Sequence, residues 1–265
     1  MLCSRRCKLF SKNSWRILGY NNAYSTCIEP WKEPILKTRG PKWKVNWDEL
    51  GPKETEQKAQ KSKIPVKQIL RRMYLIRHGQ YQDQEYDDVD RVLTPIGRRQ
   101  ATATGKRLAY LGIKFDSLIH STMTRARETA QLIRDEIKCT SPRMSLHPNM
   151  LIRECDMIEA DPPHRNWPTE PLWRHVNGPL VETGFRLIFR RPPPEQKESS
   201  NHLVVCHANI IRYLVLRALQ LNPKAWSRIS LNHASITLLT IASNGRVRLV
   251  SLGEWNHFPT DLESY

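Results

Sequence analysis

Three short apolar runs, each giving way to polar groups that can carry charge, constrain the fold more than any other feature of the chain. "MYLIR" (73–77) leads into His78-Gly79, "FDSLI" (115–119) into His120-Ser121, and "HLVVC" (202–206) into His207. Apolar runs of this length, bounded by polar and turn residues, read as buried strands. A helical pattern follows each. In "LTPIGRRQATATGKRLAYLG", Thr94 is the N-cap, Pro95 takes the first helical position and Gly112 lies just past the end. "MTRARETAQLIRDEI" (123–137) spaces Ala126, Ala130, Ile133 and Ile137 three or four apart, and "ANIIRYLVLRALQL" (208–221) is a third helix, with Asn209 expected to cap it. Residues 139–200 read as irregular and proline-rich, with a helix around 180–190 and a loop at "RPPPEQKESSN". "ASITLLTIASNGRVRLVSLG" reads as a hairpin turning at Asn244-Gly245. The alternation predicts an α/β domain: a mostly parallel central sheet flanked by helices, with an antiparallel C-terminal hairpin.

Sheets of this kind bind ligands at the carboxyl ends of their strands. If the three strands are neighbours, Arg77, His78, Arg125 and His207 converge on one rim. Cations placed side by side repel unless an anion sits between them, and two arginines can fork onto the oxygens of a phosphoryl group. His78 can attack phosphorus through a neutral ring nitrogen. His207, if protonated, can donate to an equatorial oxygen as charge spreads there. The leaving oxygen needs a proton, and Glu154 in "LIRECD" is the candidate donor, against the alternative of a surface carboxylate paired with Arg153. Arg127, two residues after Arg125, competes for the pocket position. His120 reads as a strand-end polar residue.

"RHG" after a strand, then "LTPIGRRQA", "STMTRARETA", a lone Glu in a loop and "CHAN" before a helix together resemble the histidine phosphatase superfamily, the phosphoglycerate mutase-like fold. The resemblance implies His78 as nucleophile, Arg77, Arg125 and His207 as the phosphate pocket, and Glu154 as proton donor, with no cofactor and no metal. It places Arg125, rather than Arg127, in the pocket, and His233 in "SLNHAS" near the rim, with a pocket role as the alternative. "LIRECDMIEADPP", the segment from "VVCHANIIRY" to "NHASIT", and "WKVNWD" (43–48) upstream narrow the resemblance, over about residues 40–258, to the mitochondrial serine/threonine-phosphatase branch of that superfamily. There a WDxNWD motif docks on a neighbouring dimer. The corresponding residues are Trp43, Asn46, Trp47 and Asp48, with Lys44 in place of the first Asp and Cys155 where Gly commonly follows the acid. The resemblance implies phosphoprotein substrates, with signalling kinases among the candidate partners, and a homodimer; higher assembly through residues 43–48 is expected to be weaker than in the family, because Lys44 brings a cation where an acid docks. The alternative for the tryptophans is packing on the chain's own core. Competing functions are a small-molecule phosphatase or mutase, and an adaptor that binds phosphoproteins without turning them over.

The charge balance agrees with anionic partners. Lys and Arg number 42 against 26 Asp and Glu, for a net charge of +16. No basic nucleic-acid motif accompanies it, so nucleic acid is not expected. No run of about eighteen apolar residues occurs, so no transmembrane helix is expected. Residues 1–28 carry five basic and no acidic side chains before Glu29, interleaved with Leu9, Phe10, Trp15, Ile17 and Leu18. That composition suits a mitochondrial import segment; a plain basic tail is the alternative. Residues 29–67 read as a linker holding the tryptophan motif, and 68–265 as the histidine phosphatase domain.

Overall fold

The computed structural model describes residues 42–51, 68–163 and 171–265. The import-like segment and most of the expected linker therefore lie outside the described residues. The chain divides into two units, 1–43 and 44–265. Of the first only Lys42 and Trp43 are described, with Trp43 exposed.

The second unit is built on one six-stranded sheet. In chain order its elements are β1 (Leu70–Arg77), α1 (Pro95–Tyr110), β2 (Ser117–Ser121), α2 (Thr124–Ile137), β3 (Ser145–Asn149), α3 (Pro171–Ile188), β4 (Ser200–Cys206), α4 (Ala208–Ala218), β5 (Ile236–Ala242) and β6 (Val247–Glu254). The strand order is β3-β2-β4-β1-β5-β6. The first four strands run parallel, β5 pairs antiparallel with β1 and β6 antiparallel with β5, which is the expected class. Side-chain alternation divides the core between the two faces. Met73, Leu75, Val204 and Cys206 join Phe185, Phe189, Ile210 and Leu214 on one side. Tyr74, Ile76, Leu203 and Val205 join Leu108, Phe115, Ile133 and Ile137 on the other.

Several boundaries depart from expectation for local reasons. β3 is an additional parallel strand within the stretch read as irregular. It is an edge strand with mostly exposed residues and a proline, and so shows no burial pattern. α3 begins well before residue 180, although Pro179 lies inside it. Asn209 is not a cap: His207 holds that position, and the Asn209 amide oxygen accepts from Arg212 Nη1 at 2.8 Å. Thr94 does cap α1, accepting from the Gly97 N–H at 3.0 Å. The loop after β1 packs backbone to backbone on this helix start. A Cβ at Gly97 would lie 1.9 Å from the Gln80 carbonyl oxygen, so only glycine fits there.

Residues 44–51 lie against this same domain. The Trp47 indole N–H donates to the Gly245 carbonyl at 2.8 Å, and its ring sits 5.8 Å from that of Phe185. Asp48 and Arg191 form a buried ion pair, with side chains 2% and 5% exposed, and the Arg191 backbone N–H adds a further bond to the carboxylate at 2.9 Å. Burial acts to raise the Asp48 pKa, but the Arg191 bonds outweigh it and hold the carboxyl below its ordinary value. Lys44 is held through its backbone, which exchanges two hydrogen bonds with the Gln220 amide.

Removing one partner of a buried pair costs about 3–5 kcal/mol. Asp48→Ala is therefore expected to release residues 44–51, with loss of hydrogen-exchange protection at the Lys44 and Gly51 amides while β1 and β4 keep theirs. Protection that persists at both amides would show that the ion pair does not hold the segment.

Candidate active site

The register of the sheet creates the site. β4 lies between β1 and β2, so the three strands that end in reactive groups are neighbours. Arg77 pairs with Cys206, which sets His78 beside His207, their ring centroids 5.1 Å apart. The His78 N–H donates to the Cys206 carbonyl at 2.9 Å and closes the two strand ends together. Arg77, His78, Arg125 and Glu154 line one cavity of about 270 Å³, with Tyr81, Asn209, Arg212 and Tyr265 among the other walls. His207 lies next to it, fully buried.

Its hydrogen-bond partner fixes the tautomer of His78. His78 Nδ1 is 2.8 Å from the Gly79 carbonyl, which can only accept, so Nδ1 carries the proton. Nε2 is then a bare lone pair, and Arg125 Nε donates to it at 3.2 Å. Burial, then the charges of His207, Arg125 and Arg77, hold His78 well below the usual histidine pKa, so the ring is neutral. His207 is depressed in the same way, by burial first and then by Arg125, Arg153 and Arg77. Its Nε2 lies 2.8 Å from the Ser121 hydroxyl, while buried Nδ1 has no partner among the described residues. Ser121 Oγ also accepts from the Met123 N–H at 3.3 Å; when it gives its own hydrogen to Nε2, His207 carries its proton as an N–H at Nδ1.

Arg125 is 2% exposed, in the first turn of α2, whereas Arg127 points into solvent. The Arg125 guanidinium lies 3.6 Å from Asp88 and over the Tyr81 ring, with Cζ 4.6 Å from the centroid. Tyr81 also meets the His78 ring edge-on at 5.0 Å. Arg77 has its pKa lowered to about 10, chiefly by burial. Glu154 is half-buried in the cavity wall, and Oε1 has no hydrogen-bond partner among the described residues. Enclosure raises its pKa to about 7 against the pull of Arg125, the Asn209 backbone N–H, Arg77 and Arg212. Cys155 packs against the core beside it, and burial pushes its thiol up to about 12, so it stays protonated. His120 donates to or accepts nothing in the cavity; its Nδ1 lies 2.9 Å from the Ser121 carbonyl.

Sequence reasoning missed Tyr81, Asp88 and Arg212. Tyr81 and Asp88 sit in the loop after β1, where no periodicity marks a functional side chain. Asp88 also bonds the Thr124 N–H at 3.2 Å, standing in for the side-chain cap that Met123 cannot give α2. Arg212, on the helix after His207, looks like any exposed-face arginine until Asn209 is seen to turn it toward the cavity. The arrangement as a whole offers a neutral ring nitrogen, several cations and one protonatable carboxyl to a tetrahedral anion.

Comparison with known proteins agrees. The model of the histidine phosphatase superfamily (branch 1) matches residues 73–175 and 192–254. The chain is 40% identical over 231 residues to the Mus musculus protein named "Serine/threonine-protein phosphatase PGAM5, mitochondrial", covering 83% of this chain and 79% of that one. To its Drosophila virilis counterpart it is 39% identical over 255 residues, covering 91% and 85%. Among solved structures, a phosphoglycerate mutase from Plasmodium falciparum is 27% identical, with a TM-score of 0.50, covering 72% of this chain and 96% of that one. An Escherichia coli structure titled as a putative alpha-ribazole-5'-P phosphatase, 21% identical with a TM-score of 0.54 over 69% and 97%, supports the fold.

Because both buried rings are held neutral, neither His78 nor His207 is expected to titrate between about pH 5 and 8, the window in which an ordinary histidine changes charge. Imidazole nitrogen NMR should report His78 as the Nδ1–H tautomer throughout. A midpoint inside that window, or the opposite tautomer, would contradict the geometry.

Proposed function

We propose that this chain, which belongs to the histidine phosphatase superfamily (branch 1), is a mitochondrial phosphoprotein phosphatase that hydrolyses phosphoserine and phosphothreonine through a phosphohistidine. The observation that carries the reading is the unprotonated Nε2 of His78, buried between two arginines at the wall of the cavity. In the route that follows, the phosphoryl group takes over the Arg125 guanidinium and uncovers Nε2. Nε2 attacks phosphorus, and the bond to the serine or threonine oxygen breaks. Arg77, Arg125 and the Nδ1–H of His207 hold the three equatorial oxygens, where charge spreads in the transition state. Glu154 gives its proton to the departing alkoxide. It then takes one from the water that attacks the phosphohistidine, and inorganic phosphate leaves.

The substrate class rests on the named relatives, which are serine/threonine-protein phosphatases assigned to mitochondria. The basic residues of 1–28 suit the same compartment. Signalling kinases are proposed among the substrates, and a homodimer is proposed as the working unit. Exchange of residues 43–48 between copies would extend it, with Trp47 on the Gly245 carbonyl and Asp48 on Arg191 of the neighbouring copy.

Turnover of a phosphopeptide panel beside phosphoglycerate, with His78→Ala as control, tests the reading. Phosphoserine and phosphothreonine peptides are expected to be hydrolysed, and acid-labile, base-stable label to map to the His78 peptide. Turnover confined to phosphoglycerate would favour a mutase, tight binding of phosphopeptides without turnover would favour an adaptor, and label on another residue would overturn the mechanism.

The carboxyl at about 7 adds a pH dependence. A proton donor works in its protonated form, so kcat/KM for an alkyl phosphate should fall as pH rises through about 7. Glu154→Gln should lose that limb. An aryl phosphate, whose leaving group needs no proton, should show it weakly in the parent. A limb of equal size with both leaving groups would remove Glu154 from this role.

A further inference from the structure

We propose that His233 is a positioning residue for the phosphate pocket: as a neutral hydrogen-bond acceptor it fixes the Arg77 guanidinium, and Ser264 in turn fixes His233. His233 Nε2 lies 3.0 Å from Arg77 Nη2. A guanidinium has donors only, so Nε2 must accept, and the proton sits on Nδ1. Nδ1 is 2.9 Å from the Ser264 hydroxyl and donates to it. The His233 backbone N–H bonds the Ser264 carbonyl at 3.0 Å, so one residue grips the other at two points. Gln100 Nε2 completes the clamp, donating to Ser264 Oγ at 2.8 Å and to the Leu262 carbonyl at 2.6 Å.

The same short segment makes the other contact that orients Arg77. The Leu231 carbonyl accepts from Nη1 at 2.5 Å. The segment is tied to the end of β1 by two backbone bonds, Arg77 N–H to the Ser235 carbonyl at 3.4 Å and Ala234 N–H to the His78 carbonyl at 3.1 Å. The second requires Ala234 to adopt φ +51°, an uncommon conformation for a residue with a Cβ. Residues 231–235 are thus built onto the nucleophile's strand end, and His233 is their only side chain bonded to Arg77 among the described residues.

The chemistry of the acceptors matters. Both groups that orient Arg77, a carbonyl and an imidazole, are neutral. Burial, followed by the charge of Arg77, lowers the His233 pKa to about 3, so it accepts at any physiological pH. A carboxylate in its place would orient the guanidinium equally well but cancel the charge that a phosphoryl group is to meet. A neutral acceptor fixes geometry and leaves the full positive charge for the ligand.

The inference rests on the phosphatase reading only for its choice of ligand, and inorganic phosphate affinity tests it without turnover. His233→Leu keeps most of the volume and removes the acceptor. His233→Gln puts an amide oxygen near the place of Nε2. The Leu variant should raise the inorganic phosphate Kd, measured by calorimetry, and the KM for p-nitrophenyl phosphate at least ~10-fold, the scale of one hydrogen bond to a charged group. The Gln variant should stay within about 3-fold of the parent by the same reasoning. Unchanged phosphate affinity in the Leu variant, equal impairment of Gln and Leu, or loss confined to kcat would each overturn the proposal. If the Leu variant does not fold, Ser264→Ala carries the test: it should weaken phosphate binding in the same direction, and an unchanged Kd would refute the relay. A parent that binds phosphate but hydrolyses no phosphomonoester would instead count against the proposed function.

Discussion

The side-by-side, parallel pairing of β1 and β4 is the constraint on which the site depends. Leu75 lies against Val204 and Arg77 against Cys206, and each strand alternates its apolar side chains between two separate cores. A slip of one residue would turn every one of those side chains to the wrong face, so burial on both sides locks the register. His78 and His207 are the next residues along, and they inherit that precision. The site is positioned by apolar packing in which none of its own groups takes part. Gly79 and Gly97 extend the same logic into the loop, since the backbone that follows His78 lies against the first turn of α1 too closely for any side chain.

Electrostatics then separates roles among groups that start out alike. The cavity concentrates Arg77, Arg125 and Arg212 around one carboxyl. Arginine retains its charge under burial, whereas histidine gives up its proton instead of adding another cation. The same enclosure that keeps His78 neutral and nucleophilic pushes Glu154 toward its protonated form. One physical cause, removal of water, favours both a base without a proton and an acid with one; the fixed positive charge reinforces it at His78 and opposes it at Glu154. Tyr81 contributes a π-face to Arg125 and an edge to His78, which orients both without altering the net charge.

The strands and helices that carry the site were legible because they obey two strong regularities: short, fully apolar strands, and helices opened by Thr-Pro or spaced by alanine and isoleucine. β3 was not, because an exposed edge strand reading Ser-Leu-His-Pro-Asn has no apolar alternation to detect. The first half of α3 was hidden by its own Gly178 and Pro179, which are helix breakers in isolation and are tolerated here in a helix that packs Val181 and Phe185 into the core. Among site residues, Arg77, His78 and His207 could be read from strand ends. The choice between Arg125 and Arg127 came from resemblance, and the first turn of α2 gives its physical basis by burying one and exposing the other. His233 could be placed only near the rim. Its bond to Arg77 depends on a chain reversal at Ala234 and on a segment thirty residues further along, and no local pattern encodes either.

The tryptophan motif shows how a substitution can look decisive in sequence and be peripheral in space. Lys44 reverses the charge of the family residue, which by itself suggests a weakened dock. Yet Lys44 meets Gln220 through its backbone N–H and carbonyl, groups that any residue except proline supplies. The discriminating contacts lie elsewhere: the Trp47 indole on the Gly245 carbonyl, and the Asp48 carboxylate buried on Arg191. Gly245, at φ +82°, is also the residue that turns the β5–β6 hairpin, and a Cβ there would strike the Val45 carbonyl at 2.4 Å. The hairpin tip therefore serves two purposes with one glycine. It reverses the chain, and it clears the surface on which residues 45–47 lie. A seat made from a hairpin turn, the end of α3 and a buried arginine reads Trp47 and Asp48 and leaves the side chain at 44 out of its contacts.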